Sequence, residues 1–341
     1  MGQAGKIISI EPKYAIPGAE IAVNCNGFRA EHGSDHAVFV DDTDCQITAA
    51  SSSRILAVVP PEVDGGSTRV HLSSGGSSSN YHPYVVGKRL VDGMHIVANP
   101  AIDPNDDAII LTRSGSRGQH LEGTLFRLEP DGYLDELPEA ILNPTGIAFD
   151  NERQMFVTNR AQGEVYAISR NGSSSVYATG LGIATGLAFD ADGIMYVGDR
   201  SGTIYRVRDF AEVEAFATME PSVAAYHIAF GPDGRLYVTA PGLSSHDAIY
   251  SIDQSGQVST FARGFGRPQG IAFDTEGNLY VAACYQGRHG IVKISPDGQS
   301  IENFVAGNNV IGLCFTRSGD MIVATNDSVY SIPCDVQGTL I

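Results

Sequence analysis

Five copies of one phrase constrain this 341-residue chain more than any other feature. Pro144-Thr145-Gly146-Ile147-Ala148-Phe149-Asp150 runs into Met155-Phe156-Val157-Thr158-Asn159-Arg160. Ala184-Thr185-Gly186-Leu187-Ala188-Phe189-Asp190 runs into Met195-Tyr196-Val197-Gly198-Asp199-Arg200. Similar wording returns at Tyr226-His227-Ile228-Ala229-Phe230, at Pro268-Gln269-Gly270-Ile271-Ala272-Phe273 and at Ile311-Gly312-Leu313-Cys314-Phe315. Anchored on Gly146, Gly186, His227, Gly270 and Gly312, the steps are 40, 41, 43 and 42 residues. A period near 40 built from short β-rich runs is that of a propeller blade. Each copy reads as strand, turn, strand, loop, strand, with turns such as Asp192-Gly193 and Asp233-Gly234. Helical spacing is not found over a comparable length, which argues against a helical solenoid.

A sixth, degenerate unit precedes the five. It consists of Asn99-Pro100-Ala101-Ile102-Asp103, Ala108-Ile109-Ile110-Leu111 and Gly123-Thr124-Leu125-Phe126-Arg127-Leu128. The last unit has no clear fourth strand, because the chain stops soon after Val329-Tyr330-Ser331-Ile332. A ring of strands closes best by pairing its two chain ends, which removes free edges. Residues around 85 to 91 are therefore expected to supply the outer strand of blade six. Ahead of the ring lies a separate β-rich stretch. Ile8 and Ile10 flank Ser9, Pro17-Gly18 marks a turn, and Ile21, Val23 and Cys25 alternate along a strand. The expected fold is all-β: an immunoglobulin-like sandwich over 1–83, then a six-bladed propeller over 84–341.

Composition narrows the partners. The formal net charge is −17, with 39 acidic residues against 22 Lys and Arg. Phosphate backbones need a basic face, so nucleic acid is not an expected partner. No run of 18 apolar residues exists, so no membrane span is expected. The segment Met1 to Lys6 has no apolar leader, which points to the cytoplasm; a trimmed N-terminus would leave secretion or the periplasm open. The five cysteines, Cys25, Cys45, Cys284, Cys314 and Cys334, fit no zinc spacing. A Cys25–Cys45 disulfide stays open should the protein be secreted. Oligomeric state is not legible.

Two resemblances can now be stated. Pro12, Pro17-Gly18, Gly27-Phe28, Val59-Pro60 and Gly65-Gly66 resemble the IPT/TIG immunoglobulin-like family, whose members act as spacers or packing modules. The propeller resembles the NHL and gluconolactonase (senescence-marker) superfamily. The whole chain is similar to bacterial proteins that couple an IPT/TIG domain to such a propeller. Val97-Ala98-Asn99-Pro100-Ala101, Ser114-Gly115-Ser116-Arg117-Gly118-Gln119, Gly198-Asp199-Arg200-Ser201-Gly202-Thr203, Ala225-Tyr226-His227 and Gly266-Arg267-Pro268-Gln269-Gly270 carry that likeness. It implies a lactonase-like hydrolase. Metal-dependent gluconolactonases hold a divalent cation on axial carboxylates and asparagines; here those positions read Thr145, Thr185, Gln269 and Ile311, with Asn99 and Tyr226-His227 in the remaining blades. No carboxylate stands among them, and a hard cation wants several charged oxygens. No cofactor is therefore expected, although a divalent cation remains open.

In a propeller the first strand of each blade lines the axis and starts on the face where the second strand ends. Asn99, Thr145, Thr185, Tyr226, His227 and Gln269 should then surround the axis at one mouth. Arg113, Arg117, Arg160, Arg200, Arg267 and Arg288 map to loops near that mouth. Guanidinium forks bind carboxylate or phosphate bidentately, so a small anionic ligand is implied. The competing role for Arg160 and Arg200 is pairing between blades, for instance with Asp199. His227 occupies the position where the other four copies keep Gly, and imidazole there could act as a general base; it could equally fill the tunnel. His120, His246 and His289 read as loop histidines, with a three-histidine metal site as a lesser possibility. Two functions stay open. One is an enzyme acting on an anionic lactone- or ester-like metabolite, with His227 as base, Tyr226 and Gln269 orienting, and the arginines binding the anion. The other is a non-catalytic propeller that binds a ligand or protein.

Overall fold

The computed structural model describes residues 5–28, 36–115, 119, 121–138, 141–208, 212–244 and 246–339. No helix occurs among them, hence none long and apolar enough to cross a membrane. Six four-stranded antiparallel sheets follow the repeat. Blade 1 is Ala101–Ile102, Ile109–Thr112, Leu125–Leu128 and Leu134–Glu136; blade 2 is Pro144–Phe149, Met155–Asn159, Glu164–Ile168 and Ser174–Ala178. Blade 3 is Ala184–Phe189, Met195–Asp199, Thr203–Val207 and Val213–Thr218; blade 4 is His227–Phe230, Leu236–Thr239, Asp247–Ile252 and Val258–Gly266. Blade 5 is Ile271–Phe273, Leu279–Tyr285, Arg288–Ile294 and Ile301–Ala306. Blade 6 takes Val310–Phe315, Asp320–Thr325 and Val329–Pro333 from the C-terminal end. Its outer strand is Lys88–Val91, with Lys88 opposite Ser331 and Arg89 opposite Tyr330. The ring is closed by its two chain ends, as the short last repeat requires.

The turns explain why the repeat folds this way. Asp150 accepts the backbone N–H of Glu152 and Gln154, and Asp190 that of Asp192 and Ile194. Such a carboxylate fixes the hairpin locally. Gly193 and Gly234 then take φ of 79° and 75°, where a side chain would be strained.

The N-terminal sandwich has one sheet of Lys6–Glu11, Glu20–Asn26, Arg54–Val58 and Thr43–Ala50. The facing sheet contains His36–Val40, Gly66–Ser74 and His82–Val86. The reading that set Ile8 with Ile10 is corrected. A bulge between Ile7 and Ser9 buries Ile7 and Ile10 and leaves Ile8 exposed, because one extra residue flips the face. Cys25 and Cys45 are buried free thiols.

The sandwich is welded to the ring. Tyr14–Ala15 pairs in parallel with Val85–Val86 on one side and with Val305–Ala306 of blade 5 on the other. Ile16 donates its N–H to Ala306 O at 2.9 Å, and Gly87 donates to Ala15 O at 2.7 Å. Beneath this seam the sandwich residues Ile16, Val59 and Tyr84 share one apolar core with Tyr280, Phe304, Phe315, Tyr330 and Ile332. Tyr14, Phe304, Tyr280 and Phe315 form a chain of aromatic contacts, the first tilted and the next two edge-on, each 5.1 Å between centroids.

Candidate functional site

The first strands of all six blades enclose an axial cavity of about 180 Å³. Alternation along each strand sends small residues toward it: Ala101, Ala148, Ala188, Ala229, Ala272 and Cys314 occupy one register position in the six blades. One register step toward the mouth stands the ring of Asn99, Gly146, Gly186, His227, Gly270 and Gly312. This ring is tight. A Cβ on Gly270 would meet Asn99 Oδ1 at 1.9 Å and Gly312 Cα at 2.5 Å; one on Gly146 would meet Thr185 O at 2.4 Å. Glycine is kept at 146, 186, 270 and 312 because neighbouring groups approach those positions too closely for a Cβ. Thr339, near the C-terminal end, lines the opposite end of the cavity and donates its N–H to Phe273 O.

Most polar groups at the axis are spent on holding blades together. Asn99 donates from Nδ2 to Ile271 O at 2.9 Å and accepts the N–H of Leu313, so one carboxamide bridges blades 5 and 6. Thr158 Oγ1 accepts the N–H of Gly146 and donates to Thr185 O. Thr185 Oγ1 accepts the N–H of Tyr226 and donates to Gly198 O. Thr239 Oγ1 donates to Gln269 O. Thr158 and Thr239 were not singled out from the sequence. Their signal is a threonine recurring at the mouth end of a second strand, where it reaches the next blade.

Of the residues expected around the axis, Asn99, Thr145, Thr185, Tyr226 and His227 line this one cavity. Gln269 lines a neighbouring pocket with Arg267, His289, Asn309 and Asn326. Tyr226 is only 1% exposed, and its hydroxyl donates to the carbonyl of Glu220. Burial pushes its phenol up to about 12. His227 is 5% exposed, and burial lowers it to about 4, so the ring is neutral at pH 7.

The described arginines differ in their pairing, and those without an ion pair among the described residues include Arg69, Arg153, Arg170 and Arg235 away from the mouth. Arg127 is paired with Asp103, Asp106 and Glu129, Arg206 and Arg208 with Glu214, and Arg317 with Asp107. Arg113, Arg160, Arg200, Arg267 and Arg288, all on the mouth side, have no ion pair among the described residues. Asp199 is not their partner: its carboxylate accepts the N–H of Ile183 and the N–H and hydroxyl of Ser201. Arg160 and Arg200 lie close enough to repel. Burial, and then the charge of Arg200, hold Arg160 below its usual range. Arg117 and His120 fall outside the described residues.

Among the described residues no group of three or more His, Cys, Asp or Glu could hold a metal ion. The axial donors are neutral and most are engaged, and they do not suit the hard divalent cation that the gluconolactonase likeness implies.

Comparison with known proteins places this geometry. Residues 157–327, half of the chain, match the SMP-30/Gluconolactonase/LRE-like region, and residues 6–85 match the IPT/TIG domain. No curated protein matches the chain in sequence. Among solved structures, an auxiliary nutrient binding protein from Bacteroides thetaiotaomicron is similar over 97% of this chain and 97% of its own, at 14% identity and a TM-score of 0.56. A gluconolactonase from Xanthomonas campestris is similar over 72% of this chain and 89% of its own, at 16% identity and 0.59. A virginiamycin B lyase from Staphylococcus aureus is similar over 88% of this chain and 99% of its own, at 14% identity and 0.51. At such identities the likeness is one of fold. With its blades matched over half of its length, the chain belongs to the SMP-30/gluconolactonase/LRE-like family and carries an IPT/TIG domain ahead of its propeller.

Proposed function

We propose that the propeller mouth takes a small anionic metabolite of lactone or ester type. One observation carries the reading: Arg160 and Arg200, on adjoining mouth-side loops, are partly buried and without a carboxylate, and the charge of Arg200 acts on Arg160, in a protein of net charge −17. Two like charges held together cost stability, and acidic side chains are abundant enough to have neutralised them. A ligand anion between them would receive charge-assisted hydrogen bonds of roughly 1.5–3 kcal/mol each. His227, neutral at pH 7 and lining the axial cavity, is the group we assign as proton acceptor in hydrolysis.

A second reading, binding without turnover, is favoured by a specific feature. Asn99, Thr185 and Tyr226 commit their polar atoms to neighbouring backbone. The fold likeness to a protein described as an auxiliary nutrient binding protein supports this reading.

Turnover of lactones with and without a carboxylate, by wild type, Arg200→Ala and His227→Ala, separates the readings. The enzyme reading expects the anionic lactones to be hydrolysed, and Arg200→Ala to cost about tenfold or more in kcat/KM on these alone. His227→Ala should lower kcat by about a hundredfold or more. Carboxylate-dependent thermal stabilisation with no hydrolysis selects the binding reading. No stabilisation by any anion sinks both.

A further inference from the structure

Beside the arginine pair the mouth is unexpectedly apolar. Seven large apolar side chains are exposed among the described residues: Ile8, Tyr81, Tyr133, Val176, Ile183, Val223 and Leu243. Single exposed apolar residues are ordinary, and the first four are scattered in that way. The last three are not. Ile183, Val223 and Leu243 are 40%, 45% and 95% exposed, and all sit in mouth-side loops of blades 2 to 4. Backbone hydrogen bonds tie them into one track that runs through the arginine. Arg200 N–H donates to Ile183 O at 3.3 Å, Ser222 N–H donates to Arg200 O at 2.9 Å, and Val223 N–H donates to Pro241 O at 3.0 Å. Leu243 follows Pro241 by two residues. Exposed apolar side chains carried on adjoining loops of one rim offer a recognition surface rather than a neutral exterior.

We infer that the mouth selects an anion with an apolar body: an alkyl monocarboxylate, or an alkyl lactone or ester that keeps a free carboxylate, whose alkyl part lies along Ile183, Val223 and Leu243 while its charged end meets Arg160 and Arg200. This rests on the anion site proposed above and narrows its substrate class. A polyhydroxylated acid fits poorly, because its hydroxyls would lose water against the valine and leucine without a polar partner. Each methylene laid on the track should raise affinity about two- to fourfold, the upper figure being that of full burial.

The test is calorimetric titration of butanoate, hexanoate, octanoate and gluconate into the full chain. The comparison of hexanoate with gluconate holds charge and carbon number fixed. We expect affinity to climb along the alkyl series and hexanoate to bind at least about tenfold tighter than gluconate. Val223→Ser and Leu243→Ser should flatten that climb; both side chains are exposed, so the melting temperature should stay unchanged. Equal binding of hexanoate and gluconate overturns the inference and leaves the anion site standing. A climb that survives both serine variants also overturns it, because the alkyl chain then lies elsewhere. Binding of none of the four removes the anion site and the inference together.

Discussion

The full chain is expected to unfold in a single cooperative transition, and a chain begun at Asp92 is expected not to fold. Two features force this. The outer strand of blade 6, Lys88–Val91, is supplied from the N-terminal side, so starting at Asp92 leaves Val329–Pro333 as a bare edge. An open edge in a closed ring exposes a row of unpaired backbone groups. The same cut strips Ile16, Val59 and Tyr84 from the core they share with Phe304, Phe315 and Ile332, exposing apolar area worth roughly 25 cal/mol per Å². Native stabilities are only about 5–15 kcal/mol, so both losses together exceed the margin. Calorimetry of the full chain and of the shortened one checks it. Two separate transitions, or a shortened chain that melts cooperatively near the full-length temperature, would show that sandwich and ring are independent.

The second large effect is on acid stability. His227 accepts a proton only near pH 4 in the folded chain, because burial disfavours its charged form. Unfolded histidine titrates at about 6.5. Between these values the unfolded state binds a proton that the folded state refuses, so stability falls as pH falls. The loss begins below about pH 6.5 and amounts to roughly 3 kcal/mol by pH 4, at 1.36 kcal/mol per unit. His227→Gln cannot charge and should remove this component. The difference in unfolding free energy between wild type and His227→Gln should therefore shift in favour of the variant by a few kcal/mol between pH 7 and 4.5. His71, lowered by its own burial, contributes equally in both proteins and cancels. Parallel pH curves would mean that His227 is solvated. If His227 is also the base, the acid limb of kcat/KM lies near the same low pH rather than near 6.5.

Much of the architecture was legible because a propeller writes its geometry as a period. The steps from Gly146 to Gly312 counted five blades, the degenerate unit from Asn99 added the sixth, and the unit lacking its fourth strand pointed to a closing strand near 85 to 91. The bulge at Ile7 was not legible, since a two-residue alternation predicts the same pattern with or without it. Nor was the weld. Tyr14–Ala15 is two residues long and bonds to Val305 nearly 300 residues away, with no local signal. At the site, the sequence named the residues near the mouth but not their state. Asn99 reads as a free carboxamide until its bonds to Ile271 and Leu313 are seen. Arg127 and Arg160 read alike until one is found against three acidic side chains and the other without an acidic partner and under the charge of Arg200. Ion pairing belongs to the folded surface, and no spacing rule in the repeat encodes it.

That contrast supports a direct measurement, the thermal melt of wild type and Arg200→Ala with and without hexanoate. Without ligand, removing Arg200 relieves the repulsion on Arg160, so the variant should melt at or slightly above the wild-type temperature. With ligand, wild type should gain stability as RT ln(1 + [L]/Kd) and the variant should gain much less, so that the order reverses. A variant that melts lower without ligand, and rises with hexanoate as far as wild type does, would mean that Arg200 is a structural residue and that the mouth holds no anion there.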